Sequence, residues 1–185
     1  MPAYHSVFNE AQYSTACGIP IIEFKTNKLP DLDSSKLKNS LSEIDLDIID
    51  ESLIYFRANV LFKNFPIRGD ADKLLVYITV FIQKCLDVIS GCKEDLEQIK
   101  LQLRFLIDEA EWSPTLKTHF FNNVVTIKNN EIAELQAYLK TVRRETCSRI
   151  LGILFESEQK ASCYKYWLGF AKRKFLGYDM PTVKK

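Results

Sequence analysis

Asp108, Glu109 and Glu111 stand near enough in sequence for one carboxyl to donate a proton while a neighbouring carboxylate accepts one. At a polar helix end, however, that spacing suits a solvated acidic face better than an acid and base pair, and the three are set aside. Cys147 is a nucleophile only if a histidine reaches it. The chain has two, His5 near its start and His119 in a stretch without clear pattern. A small helical enzyme using Cys147 is therefore one reading, and it demands a reactive thiol. Zinc prefers ligands in closely spaced pairs, and Cys17, Cys85, Cys92, Cys147 and Cys163 form none. Cys85 and Cys92 suit core filling by small apolar groups. The six glycines occur singly, so neither a phosphate-cradling loop nor a dinucleotide fingerprint can be built. No catalytic residue, metal or cofactor is expected.

The C-terminal rings carry a different chemistry. Tyr164, Tyr166, Trp167 and Phe170 precede Lys172, Arg173, Lys174 and Phe175. Rings can stack on bases while cations hold phosphate, which would make a single-strand nucleic-acid binder. Against that alternative, the net charge is only +1, without the basic excess such binders carry. The cations can also complement the dipole of a last helical turn. Tyr, Trp, Phe and basic side chains crowded together match a protein-binding hot spot, and that reading is preferred. Twelve Phe, eight Tyr and two Trp exceed what a small helical core needs, and rings are enriched at interfaces. Two other places are candidates for partner contact. Tyr4 and His5 lie in an arm with no core of its own, ordered either on a partner or on the protein's own body. Lys63 and Asn64 sit at a ring-bearing helix end before Pro66, with Phe62 assigned to the core and Lys63 to the surface.

These residues need elements to position them. Residues 1–46 hold Pro2, Pro20 and Pro30 and read as an extended arm and linker, with Ile19 to Phe24 able to add one short strand. From Asp47, an N-cap, the stripe Ile49, Leu53, Phe56 and Val60 predicts a helix. Asp70 is expected to cap a second, striped by Leu74, Ile78, Phe81, Cys85 and Val88 and closed by Gly91. A third carries Leu96, Ile99, Leu103, Leu106 and Ala110 and stops before Pro114. From Asn130 a helix of roughly 25 residues is expected to be the longest rod and the spine. A last helix is placed near Ser162 to Phe175, and residues 113–130 give no reading. The fold class is all-α: one compact multi-helix domain over 47–185, an extended N-terminal arm, and a long helix in the C-terminal half. Scattered cysteines and a start lacking signal-peptide character predict a reducing, cytosolic setting. The longest apolar run, Leu74 to Ile82, is under half of the roughly 20 residues a membrane helix needs, so no membrane association is expected.

Five blocks, in order, resemble a known family: MPAYHS (Met1 to Ser6), DIIDESLIYFRANVLFKNF (Asp47 to Phe65), ADKLLVYIT (Ala71 to Thr79), AYLKTVRRET (Ala137 to Thr146) and YKYWLGFAKRKFL (Tyr164 to Leu176). They are similar to the 21-kilodalton subunit, subunit 3, of the actin-related protein 2/3 complex. The resemblance implies a small helical accessory subunit that does no chemistry in an assembly that seeds branched actin filaments. It implies placement mainly against actin-related protein three, contact with filament actin through the complex, and residence in the cytoplasm and cortical cytoskeleton. ATP in such an assembly belongs to the actin-related subunits, in keeping with the missing phosphate loop. Two departures stand out. The stretch Glu111 to Asn130 has one proline and no glycine where the family has a Gly- and Pro-rich loop, and the linker Lys28 to Asp45 is longer than the family's.

Overall fold

The computed structural model describes residues 3–28, 30, 32, 46–108, 125–156, 160–173 and 175. Lys174, Glu109, Glu111, His119, most of the linker and the greater part of the unread stretch lie outside them.

Five α-helices make up most of the described fold: α1 (Ile48–Asn59), α2 (Asp70–Gly91), α3 (Leu96–Asp108), α4 (Ile132–Leu151) and α5 (Lys160–Leu168). A π-helical stretch, Gly152–Glu156, continues α4. The all-α expectation needs one correction. Two short strands, β1 (Thr15–Ala16) and β2 (Ile19–Pro20), pair antiparallel, with Thr15 opposite Pro20 and Ala16 opposite Ile19. Cys17 and Gly18 join them with φ of 50° and 79°. Positive φ at both central residues is the turn that follows the natural twist of a hairpin. The hairpin is anchored from outside. Cys17 N–H donates to Glu131 Oε2 at 2.6 Å, Thr126 N–H donates to the Cys17 carbonyl at 3.0 Å, and Lys73 Nζ donates to the Gly18 carbonyl at 3.0 Å.

Helix α1 starts as its sequence dictates. The Asp47 side chain accepts from the N–H groups of Ile49 and Asp50, which the helix itself leaves unpaired, and Ile49, Leu53, Phe56 and Val60 are all buried. Helix α2 departs from expectation in three ways. Its N-cap is Gly69, not Asp70, and no side chain caps it. It runs through Gly91, and the chain leaves it beyond Cys92 through Lys93 and Glu94, both with positive φ. Above all, it is covered on every side: Leu75, Val76, Tyr77, Val80, Ile82 and Leu86 are buried as well as the predicted stripe from Leu74 to Cys85. A helix apolar all round belongs inside, and α2 packs on α1, α3, α4, α5 and β2. Its length and apolar composition would suit a bilayer, but 78% of its most apolar stretch is covered by the rest of the protein. This helix, rather than α4, is the spine.

Helix α4 binds the others to it. Arg143 Nη1 donates to Tyr77 Oη at 2.7 Å, while its Nε and Nη2 donate to the Ile107 carbonyl, which α3 leaves unpaired at its end. Six residues on, the fully buried Arg149 spends all five N–H donors. Nη1 reaches Asp47 and Asp50 at 2.6 and 2.7 Å, Nη2 reaches Asp47 and the Lys25 carbonyl at 2.7 Å, and Nε reaches Glu145 at 3.0 Å. Burial pushes Asp47 upward, but the bonds and charge of Arg149 outweigh it and hold the carboxyl below its ordinary value. The guanidinium thereby ties the arm, α1 and α4 together at one point. Lys28 Nζ adds a bond to Asp50 at 2.6 Å.

The last helix is shorter than predicted. It stops at Leu168 because Gly169 begins a series of tighter turns, in which the N–H groups of Phe170, Ala171 and Arg173 each donate three residues back. Those turns swing Ala171 and Phe175 into the core.

Candidate partner-binding surface

The C-terminal rings divide between inside and outside. Phe56 of α1, fully buried, lies parallel to Trp167 at 5.7 Å between ring centres and edge-on to Phe170 at 6.1 Å. Offset and edge-to-face pairs are the favourable arrangements for aromatic quadrupoles. This stack forms a rigid base beneath Tyr166, whose ring is 51% exposed. Tyr166 meets Phe170 edge-on at 5.7 Å. Arg57 donates from Nη1 to Tyr166 Oη at 2.8 Å, and its guanidinium carbon lies 5.2 Å from the ring centre. A cation over a tyrosine face is attracted by the ring's quadrupole, so an exposed ring is held in one orientation before any partner arrives.

The segment that carries this ring is also basic. Lys165, Lys172 and Arg173 are exposed on the same segment, the last two in the turns beyond α5 and not in a helical turn. Across from them, the end of α1 exposes Leu61, Lys63 and Asn64. The two stretches meet where Phe65 packs edge-on to Phe175 at 6.2 Å between centres. Two predicted partner residues lie beneath the surface and not on it. Tyr164 is 7% exposed, edge-on to Phe155, and Phe175 is 1% exposed with its N–H donating to Gln83 Oε1. On a helix, positions 164 and 166 point about 200° apart, so burying Tyr164 turns Tyr166 outward.

The arm lies on the protein's own body. Tyr4 exchanges two bonds with Asn59, its N–H donating to Oδ1 and its carbonyl accepting from Nδ2, and its ring stacks on Tyr55 at 4.9 Å. Burial, then the charge of Glu51, pushes the Tyr55 hydroxyl up to about 12. The outer side of the Tyr4 ring remains open, 41% exposed. His5 is largely covered, with Nδ1 2.7 Å from Asp72 Oδ2 and its ring against Phe65. Tyr4, Lys63, Asn64, Tyr166, Lys172 and Arg173 therefore stay available to a partner.

Sequence reasoning missed Arg57 and Tyr55. Each sits off the buried stripe of α1 and reads as an ordinary surface residue, and Arg57 finds its ring 109 positions away. Of the residues first considered for chemistry, Asp108 and Cys147 are among those described. Asp108 is exposed and bonded to Lys140 at 2.5 Å, which holds it below its ordinary value. Cys147 is buried with Sγ 3.7 Å from Cys85 Sγ. Among the described residues, no group of three His, Cys, Asp or Glu side chains is placed to hold a metal ion.

Comparison with known proteins agrees with the five sequence blocks. The profile of the P21-Arc family, the ARP2/3 complex ARPC3 (21 kDa) subunit, matches residues 1–180. A relative from Arabidopsis thaliana, actin-related protein 2/3 complex subunit 3, is 35% identical over 94% of this chain and 96% of its own length. Relatives with the same designation from Dictyostelium discoideum and Saccharomyces cerevisiae are 34% and 31% identical, over 94% and 97% of this chain and 97% and 100% of their own. With the family profile covering nearly the whole sequence, the chain belongs to the 21-kilodalton subunit family, subunit 3, of the actin-related protein 2/3 complex.

Proposed function

We propose that this chain is a non-catalytic structural subunit of an actin-related protein 2/3 complex that supports nucleation of branched actin filaments in the cytoplasmic cortex. Its main contact is with actin-related protein three, made by the open face of the arm at Tyr4, the α1 end at Lys63 and Asn64, and the segment from Tyr166 to Arg173. Lys174, which continues the basic run, belongs to the same contact. Tyr164, Phe175 and His5 act from beneath, by fixing the backbone that carries these residues.

The observation that supports this surface most directly is Tyr166, half exposed yet gripped by Arg57 and seated on the buried stack of Phe56, Trp167 and Phe170. A preordered aromatic on a segment with exposed cations gives up little entropy on binding and matches a partner that offers acidic and apolar groups. The test is recovery of the tagged chain from native cell extract, followed by mass spectrometry. Both actin-related proteins should be recovered with the natural sequence. The double variant Arg57→Glu, Tyr166→Ala should lose actin-related protein three at least tenfold while melting within a few degrees of the natural chain. Recovery of neither actin-related protein with the natural sequence sinks the assignment, and undiminished recovery with the variant sinks the surface.

A further inference from the structure

Glu51 on α1 and Asp72 on α2 are both fully buried and face the same short stretch of the arm. Ser6 bridges them: its N–H donates to Asp72 Oδ1 at 2.8 Å and its hydroxyl to Glu51 Oε2 at 2.6 Å. Val7 N–H donates to Glu51 Oε1 at 2.7 Å. Asn9 Nδ2 donates to Asp72 Oδ1 at 2.9 Å, and the Asp72 N–H returns a bond to Asn9 Oδ1 at 3.2 Å. Asp72 Oδ2 takes the Arg68 backbone N–H at 2.9 Å and faces His5 Nδ1 at 2.7 Å. Among the described residues, no lysine ammonium or arginine guanidinium reaches either carboxylate. The other titratable groups that face Glu51 are the hydroxyls of Tyr13 and Tyr55, both neutral and made harder to ionise by burial and then by Glu51 itself.

Two buried carboxylates faced by backbone amides, a hydroxyl, a side-chain amide and one imidazole are costly if both are charged. We propose that the Glu51 and Asp72 pair is a proton-operated clasp for the N-terminal arm: a proton taken up at Glu51 holds residues 4–9 against α1 and α2, and its loss loosens them. The geometry accommodates that proton by reversing the bond between Ser6 and Glu51 while keeping the contact. The carbonyl oxygen of a neutral Glu51 still accepts from Val7, and its hydroxyl donates to Ser6 Oγ. Burial, reinforced by the charge of Asp72 and opposed by the bonds from Ser6 and Val7, raises Glu51 from 4.5 to about 7. A raised carboxyl stabilises the docked arm fully below its free value of about 4.5, and this stabilisation is lost as pH rises to about 7, beyond which it changes no further. The window closes at neutrality, so mild acidification tightens the clasp. Tyr4 rides on the same arm, and the clasp thus governs whether its ring stays stacked on Tyr55.

The test is hydrogen exchange at the Ser6 and Val7 amides of the full chain, expressed as protection relative to intrinsic exchange so that base catalysis cancels. Protection should fall about tenfold per pH unit between roughly pH 5.5 and 7 and level off above about pH 7.5. Glu51→Gln, which keeps an acceptor for Val7 and a donor for Ser6, should stay protected with no slope. Protection that is flat in the natural chain, or a slope retained by Glu51→Gln, overturns the clasp. A slope abolished by His5→Gln but kept by Glu51→Gln overturns it too, by moving the proton to the imidazole. If Glu51→Gln fails to fold, carbon-13 titration of the Glu51 carboxyl in the natural chain decides. A midpoint near 7 supports the clasp, and one at about 4 to 5 refutes it.

Discussion

Replacing Arg149 by Met removes five charge-assisted hydrogen bonds at a site with no solvent access. Met fills much of the same length, so little cavity forms, and the cost comes from what is left behind. Asp47 keeps three backbone donors, from Lys25, Ile49 and Asp50, and Glu145 keeps those of Asn27 and Lys28. Among the described side chains, Asp50 keeps the Lys28 ammonium. Breaking a buried ion pair from one side costs about 3–5 kcal/mol, against a total stability of about 5–15 kcal/mol for a domain. With a urea slope of about 2 kcal/mol per molar, the unfolding midpoint, followed by fluorescence of the buried Trp167, should drop by roughly 2 M. Arg149→Lys keeps the charge but not the fork and should fall in between. Adding Asp47→Asn and Asp50→Asn to Arg149→Met should restore part of the loss. The pH dependence has a definite sign. Asp47 is held low in the folded state, so its share of stability is full at neutrality and is lost as pH falls below about 4; the gap between natural chain and variant should therefore narrow in acid. A midpoint shift under about 0.3 M, or a gap that widens in acid, would refute the reasoning.

Three further outcomes follow from single contacts. A Cβ at Gly69 would lie 2.3 Å from Asn9 Oδ1, so Gly69→Ala should displace Asn9 from Asp72 and lower stability by about 1–3 kcal/mol, with faster proteolysis near residues 5–11. Tyr138 Oη donates to the Ile22 carbonyl at 2.9 Å and accepts from the Ile22 N–H at 3.1 Å; Tyr138→Phe leaves both unpaired and should cost about 1–3 kcal/mol in thermal or urea melts. Burial, reinforced by Cys147, raises the Cys85 thiol well above its ordinary value, and Cys147 is itself covered by the core, so with neither thiol accessible both should resist iodoacetamide at neutral pH until the protein unfolds. Peptide mass mapping reads this directly, and rapid labelling of native Cys147 would revive a nucleophilic role.

The described helices were legible wherever the information was local. A 3.6-residue stripe needs only neighbouring residues to be recognised, and Ile49, Leu53, Phe56 and Val60 behind an Asp47 cap are buried as that stripe requires. The absence of any closely spaced ligand set or phosphate loop was equally local, and five ordered blocks sufficed for the family. What periodicity could not reveal was how many sides of a helix are covered. The stripe in α2 marks one face, yet the same residues sit in a helix enclosed on all sides, because that depends on how many neighbours the topology places around it. Cap positions were less secure than stripes: Gly69 and Asp70 are adjacent, and it is Gly69 that takes the extended conformation, at a place where a Cβ would collide with Asn9.

For the surface, composition located the right segment but not its orientation. Tyr164, Tyr166, Trp167, Phe170 and Phe175 are chemically alike, and only the packing against Phe56 and Phe65 assigns Tyr166 to solvent and the others to the interior or its edge. Arg57 with Tyr166, Tyr4 with Tyr55, and Arg149 with Asp47 are partners separated by 51 to 109 positions, joined by nothing that repeats along the chain. By itself the sequence determined that the protein is helical, which faces are apolar, and to which family it belongs, since these follow from local periodicity and ordered blocks. The tertiary structure decided which ring and which cations are exposed, and that Glu51 and Asp72 share one site on the arm, because those properties exist only once distant segments compete for the same buried volume.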